Sequence, residues 1–310
     1  MQKHFLEVIS KQYGFKGLTY SPAPRQYVAE TYILESSERQ KYFCKIIQKP
    51  LWIPKIIDSL PVLDSIHKQG FEKINYPIKT LRDEFYFMHD NSLIVIFNYI
   101  DAKQSYDFDY KILGKMIGEI HSLTPKIKVK IPSESFSFKD KEIFERQFLG
   151  TLAGNSNDEV IQLLKNLLLK YEVEIKRHYA ALQKIITECK NNDFPLVITH
   201  GDAGGNVLVK SPTDLYIIDW DEILLASAER DLWVNDSNND FMEGYRSVFP
   251  DYQTNLLARR FCICNQYFYY LMYYLADILS DAPSEYRKTK LKELEGYFEG
   301  WIRPYIDSIH

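Results

Sequence analysis

The sequence predicts an α+β protein of two lobes, a β-rich lobe over residues 1–100 and a mainly helical lobe over residues 101–310. Three observations carry this. Short apolar segments separated by charged or proline-bearing turns fill the first hundred residues. Stripes at helical spacing fill most of the remainder. A chain of 310 residues, 45% hydrophobic with 23 Tyr and 18 Phe, has core enough for about two domains.

Taken in order, Phe5, Leu6, Ile9 and Tyr13 space an opening amphipathic helix that ends near Gly14. Strands follow at Gly17–Ser21, Gln26–Leu34 and, after the charged turn Glu35–Lys41, at Tyr42–Ile47, an antiparallel meander. Ile56, Ile57, Leu60, Leu63 and Ile66 give a helical pattern that Pro61 is expected to interrupt. Two more strands, Phe85–His89 and Leu93–Tyr99, complete the first lobe. Beyond residue 100, Ile112, Met116, Ile117 and Ile120 mark a helix ended by Ser122–Pro125, and residues 137–150 mark another. One long or two shorter helices cover residues 158–190. Short strands return at Leu196–Thr199, Asn206–Lys210 and Leu215–Asp219, and helices resume after residue 228.

Composition narrows the function classes. With 38 basic against 42 acidic residues the formal charge is -4, which argues against a general nucleic-acid binder. Cys44, Cys189, Cys262 and Cys264 form no CxxC pair, so neither a cysteine zinc site nor a disulfide framework is expected, and a reducing cytoplasm is the simplest location. The first fifteen residues lack the apolar core of a signal peptide, and no uninterrupted apolar 18-mer occurs. Phe261–Leu279 contains Asn265, Gln266 and Asp277 and reads as a buried aromatic helix rather than a membrane span.

The chemistry concentrates in Thr199-His200-Gly201-Asp202-Ala203-Gly204-Gly205-Asn206-Val207-Leu208-Val209 and in Tyr216-Ile217-Ile218-Asp219-Trp220-Asp221-Glu222. If the two strands pair as a hairpin, Asn206 and Asp219 share one end, a seat of hard oxygen donors suited to magnesium. Asp202, on a glycine-flanked turn, is placed to orient a hydroxyl and accept its proton, which suggests phosphoryl transfer. Spacing alone leaves the bland alternative open: an ordinary Asp-Gly turn and a capping aspartate.

These residues resemble the catalytic core of the aminoglycoside phosphotransferases and related small-molecule kinases. HGDxxxNVLV, then IIDWDE and Glu229-Arg230-Asp231-Leu232, is similar in wording to the spectinomycin phosphotransferase branch. Tyr42-Phe43-Cys44-Lys45 and the run from Leu113-Gly114-Lys115 to Ile120-His121 extend the likeness. The resemblance implies a two-lobed protein-kinase-like fold, a nucleotide-binding lobe over 1–100 and a catalytic and substrate lobe over 101–310. It implies Asp202 as catalytic base, Asn206 and Asp219 as Mg2+ ligands, and Lys45 on the α/β-phosphates of ATP. His200 and Asp231 are then structural braces of the loop, and Asp221 is either a residue behind the metal or a contact to a cationic substrate.

Three departures follow. Only Ala203, Gly204 and Gly205 separate Asp202 from Asn206, one residue fewer than the kinase pattern. The turn that would cover the phosphates reads Ser21-Pro22-Ala23-Pro24-Arg25-Gln26, without glycine, and Arg25 is either a compensating phosphate contact or a surface arginine. The helix acid expected to pair with Lys45 is absent as glutamate, leaving Asp58, with Asp64 beyond it, as the candidates.

The architecture places the base at the connector Leu93–Ile100, near Phe97 and Tyr99, with Ile46 and Ile218 sandwiching the ring. From Asp193 to Glu243 eleven acidic residues face two basic ones, Lys210 and Arg230, which favours a small cationic substrate. Asp221, Glu222, Asp236, Asp240 and Glu243 are its candidate contacts, with Tyr267 and Tyr270 as aromatic walls or as helical core. The expectation is an ATP- and Mg2+-dependent phosphotransferase acting on an aminocyclitol or aminoglycoside, without nucleic-acid or membrane partners. Two alternatives stand beside it: a kinase of an endogenous amino alcohol or sugar, and a non-catalytic nucleotide-binding module.

Overall fold

The computed structural model describes residues 3–23 and 29–309. Helix α1 (Lys3–Tyr13) precedes a meander of β1 (Thr19–Pro22), β2 (Ala29–Glu35) and β3 (Lys41–Ile47), then α2 (Ile53–Lys68), β4 (Phe87–His89) and β5 (Ser92–Asn98). The five strands make one antiparallel sheet in the order β1-β2-β3-β5-β4. Lys45 pairs in register with Val95, and strand alternation then sorts the side chains onto two faces. Phe43, Ile47, Leu93, Val95 and Phe97 join Ile56, Leu60 and Leu63 of α2 in one core. Cys44, Ile46, Ile94 and Ile96 join Ile9 and Tyr13 of α1 in another. Lys45 therefore belongs to the face away from α1.

Pro61 does not interrupt α2, contrary to the expectation from sequence. Ile56, Leu60, Val62, Leu63 and Ile66 are all buried. At about 1.5–3 kcal/mol for each buried aliphatic side chain, they outweigh the roughly 3 kcal/mol that an internal proline costs a helix.

The chain continues through β6 (Lys103–Gln104), α3 (Tyr110–Ser122), α4 (Lys141–Ala153), α5 (Glu159–Lys190) and β7 (Leu196–Thr199). The hairpin β8 (Val207–Ser211) and β9 (Asp214–Ile217), then β10 (Leu224–Ser227), α6 (Glu229–Leu232) and α7 (Asn239–Arg246) follow. Helices α8 (Leu256–Ile278), α9 (Ser284–Glu299) and α10 (Arg303–Asp307) complete it. The result is a β-rich N-terminal lobe and a helical C-terminal lobe, the kinase-like α+β class. Two short pieces, β6 on β8 and β10 on β7, went unpredicted. The pattern over 158–190 resolves into one helix, capped by Asp158, whose carboxylate accepts from the backbone N–H groups of Val160 and Ile161.

The contacts divide the chain into two compact units, Met1–Glu134 with Pro195–Tyr252, and Ser135–Phe194 with Gln253–His310. The second holds α4, α5, α8, α9 and α10 and is packed largely by aromatic rings, among them Phe144, Tyr179 and Phe268. Among the described residues no helix is long and apolar enough to cross a membrane.

In the first unit α3 crosses α7 at two glycines. A Cβ on Gly114 would lie 1.9 Å from the Phe241 carbonyl oxygen, and one on Gly244 would lie 1.9 Å from that of Lys111. Neither backbone oxygen can yield, so the crossing requires both glycines. Gly114→Ala is expected to destabilise the protein by about 1–3 kcal/mol or more, read as a lowered thermal midpoint, whereas Gly296→Ala, with nothing within 4 Å, leaves it unchanged or raised.

Candidate active site

The hairpin builds the site floor. Val207 pairs with Ile217, and Ile218 donates its N–H to the Asn206 carbonyl at 2.9 Å, which brings Asn206 and Asp219 to one end as the spacing predicts. Asp202 leads into a 3-10 turn over Ala203–Gly205. That turn absorbs the missing residue: Asn206 Nδ2 donates back to the Asp202 backbone oxygen at 2.9 Å and to Asp202 Oδ2 at 3.1 Å. The amide is thereby oriented with its Oδ1 left for another partner. With the Asp219 carboxylate this offers hard oxygen donors at one place, a set that fits Mg2+. Asp219 itself takes φ +65°, a left-handed conformation that costs a non-glycine residue about 1–2 kcal/mol.

The loop is braced from below. Buried Asp231 accepts the His200 and Gly201 backbone N–H groups, the former at 2.9 Å, and the His121 Nε2–H at 3.1 Å. The Tyr245 hydroxyl donates to His121 Nδ1 at 3.0 Å, which fixes the tautomer. His200 in turn donates Nε2–H to the Ile218 carbonyl at 2.8 Å and accepts the Asp202 N–H at Nδ1. Arg230 ties Thr199 Oγ1 at 2.8 Å to the Glu222 carbonyl at 2.9 Å. Gly201, at φ +94°, takes a left-handed conformation that residues with a side chain rarely adopt, and a Cβ there would come 2.2 Å from that guanidinium. His200 and Asp231 thus stand where the sequence expected braces, and His121, which the sequence left without a role, joins them.

Burial pushes the Asp231 carboxyl up, but the hydrogen bond and charge of His121 and the charge of Arg230 outweigh it and hold it below the usual aspartate range. A carboxyl lowered on folding stabilises the native state fully above its unfolded value of about 3.9, and loses that contribution as pH falls through the folded value. The stability gap between wild type and Asp231→Asn is therefore expected to be constant at neutral pH and to shrink in denaturant titrations below about pH 4.

Lys45 is 1% exposed and its partners are not the ones expected. Its Nζ donates to Asp219 Oδ1 at 2.6 Å and to both oxygens of Asp221 at 3.0 and 3.1 Å. Asp58 is exposed on α2, and Asp64 pairs with Lys68 at 2.7 Å. Burial disfavours the Lys45 charge, yet the two carboxylates overcome it and raise its pKa. Asp219, whose side chain is 30% exposed, is held low because Lys45 outweighs its own burial. Asp221 is pushed up, since burial and the neighbouring Asp219 charge exceed what Lys45 returns. Asp202 is also raised, chiefly by burial, with His200 and the Asn206 amide opposing and Asp219 and Glu222 adding.

The other expected residues divide. Ile46 points into the core beneath α1, on the sheet face opposite Lys45, because it is one residue out of phase with the lysine. Phe43, two residues before Lys45 and half-buried, lies on the lysine's face of the strand instead, as period-two alternation alone would have indicated. Phe97 is 2% exposed and packs in the core. Ile218 is half-buried just before Asp219. Tyr99 lines a cleft of about 470 Å³ with His67, Tyr76, Asn98 and Tyr216, and none of Lys45, Asp202, Asn206 or Asp219 borders it. Arg25 lies outside the described residues. Glu222 pairs with Lys55 at 2.7 Å and Glu243 pairs with Lys111. Asp240 is exposed on α7 and Asp236 half-buried before it. Tyr267, 1% exposed, is core of the second unit against His178 and Phe268, and Tyr270 stacks edge-on with Trp301 there.

A carboxylate beside an amide, a second carboxylate on the same hairpin end and a buried lysine thus lie together in one unit. A family model described as the phosphotransferase enzyme family matches residues 19–241. The chain belongs to this family. Among solved members of this fold, spectinomycin phosphotransferase in complex with ADP and spectinomycin is similar at TM-score 0.78 and 22% identity, over 100% of this chain and 98% of that one. A microcompartment-associated aminopropanol kinase is similar at TM-score 0.66 and 14% identity, over 99% and 98%. An aminoglycoside phosphotransferase from Alicyclobacillus acidocaldarius is similar at 0.63 and 15%, over 97% and 93%. No curated protein matches the chain. At these identities the likeness shows that the phosphotransferase fold is shared along the whole chain.

Proposed function

We propose that the protein transfers the γ-phosphoryl group of ATP, with Mg2+, to a hydroxyl of a small cationic molecule of the aminocyclitol or aminoglycoside type. The observation that carries this is the convergence of Asp202, Asn206, Asp219 and Lys45 in one unit despite the shortened loop. Asp202 binds the acceptor hydroxyl and takes its proton as the oxygen attacks phosphorus and the bond to the ADP oxygen breaks. Its raised pKa makes it a stronger base for that step. Asn206 and Asp219 would hold Mg2+, which when bound would neutralise charge on the transferring phosphate. Lys45 meets the nucleotide phosphates, and Asp221, rather than a helix acid, holds Lys45 in place.

The acidic run through 193–243 supports a cationic acceptor, and the relatives named for aminopropanol and ethanolamine kinases keep amino alcohols within the class. Since Glu222 and Glu243 already face lysines, Asp240, exposed on α7, is the acid we assign to substrate amines. The test is coupled ADP release with Mg2+ and ATP against aminocyclitols, aminoglycosides and amino alcohols. Turnover with a product heavier by one phosphate is expected. Absence of both turnover and nucleotide binding overturns the reading.

A further inference from the structure

Outside this site, two groups of three side chains bring metal-ligand atoms within 4.8 Å of one another among the described residues. One, Glu174, His178 and Asp307, already has a cation: Arg303 lies 3.1 Å from each carboxylate. The other, His4, His89 and Asp90, contains no arginine or lysine. It joins the first turn of α1 to the tip of the β4–β5 hairpin, where Asp90 and Asn91 both take positive φ (46° and 59°), the two-residue turn that a right-twisted hairpin favours.

The geometry is that of a half-built coordination sphere. His89 Nε2 stands 3.3 Å from Asp90 Oδ2. A tetrahedral site with bonds of about 2.0–2.1 Å has ligand-to-ligand edges of about 3.3 Å. His89 Nε2 is buried and makes no hydrogen bond, so binding there breaks none. The His4 ring lies 5.0 Å from the His89 ring, and Phe5 meets it edge-on at 5.3 Å, giving one apolar wall. Two imidazoles with one carboxylate suit a borderline ion and not magnesium, which takes oxygen.

We propose that His4, His89 and Asp90 form a three-ligand site for Zn2+ or a similar divalent transition metal, with the fourth position open to water. Such a site cross-links α1 to the hairpin on the sheet face opposite Lys45, adding a polar tie to a helix that Ile9 and Tyr13 hold by apolar contact. It is separate from the catalytic metal and does not depend on the kinase reading.

The test uses the whole metal-stripped protein in excess Mg2+, which occupies the oxygen sites, titrated calorimetrically with Zn2+ and spectroscopically with Co2+. One equivalent is expected to bind, with the visible absorption of tetrahedral Co2+, and Zn2+ should raise the melting temperature. His89→Ala and the exposed His4→Ala should each weaken Zn2+ binding by about tenfold or more and abolish the thermal shift. His4→Ala removes only an exposed side chain, so the test survives if the His89 variant folds poorly. No saturable equivalent, or equal affinity in His4→Ala, overturns the proposal.

Discussion

Turnover by Asp202→Asn is expected to fall by about 10²–10⁴-fold, the usual share of a positioned proton acceptor, while nucleotide affinity stays within a few-fold of wild type. The amide keeps the shape of the carboxylate and leaves the backbone bond from Asn206 Nδ2 to the Asp202 carbonyl in place, so the 3-10 turn and the hairpin end are retained. What it loses is the capacity to take the hydroxyl proton. Initial rates of ADP release, with nucleotide binding measured separately, check this. A variant that turns over like wild type would remove Asp202 from the chemistry.

The second large effect is expected at Asp221. Asp221→Ala should lower kcat/KM for ATP by about 10–100-fold, the usual loss when a residue that orients a charged ligand group is removed. Asp58→Ala should leave it unchanged. The contrast rests on geometry: Asp221 grips the Lys45 ammonium with both oxygens, 7% exposed, while Asp58 is on the surface of α2. Asp219 still neutralises Lys45 in the variant, so folding should survive, and far-ultraviolet dichroism with the thermal midpoint will show it. If Asp58→Ala is the damaged variant instead, Lys45 is held from the helix when nucleotide is bound.

Most elements of the first lobe were legible because each reports itself locally. Short apolar segments between charged or proline-bearing turns marked β2, β3 and β5, helical spacing marked α1, and beyond residue 100 helical spacing marked α3 and α5 as well. The pieces that went unpredicted, β6 and β10, are two and four residues long and exist only through their partners β8 and β7. Pro61 misled for the same reason, since its cost is local and the burial that overrides it is not.

In the site, spacing along the chain pointed to Asp202, Asn206 and Asp219, and the resemblance to the aminoglycoside phosphotransferases added Lys45, His200 and Asp231 as expectations. Tertiary structure alone decided which carboxylate holds Lys45. Asp221 lies 176 positions away, and no spacing rule connects a strand lysine to the loop after a distant hairpin. Folding also tied Glu222 and Glu243 to lysines rather than leaving both to a substrate. The physical reason is common to both. Residue type and near spacing are written along the chain, whereas charge partners are chosen by distance in space, where a buried lysine takes whichever carboxylates the packed hairpin brings to it.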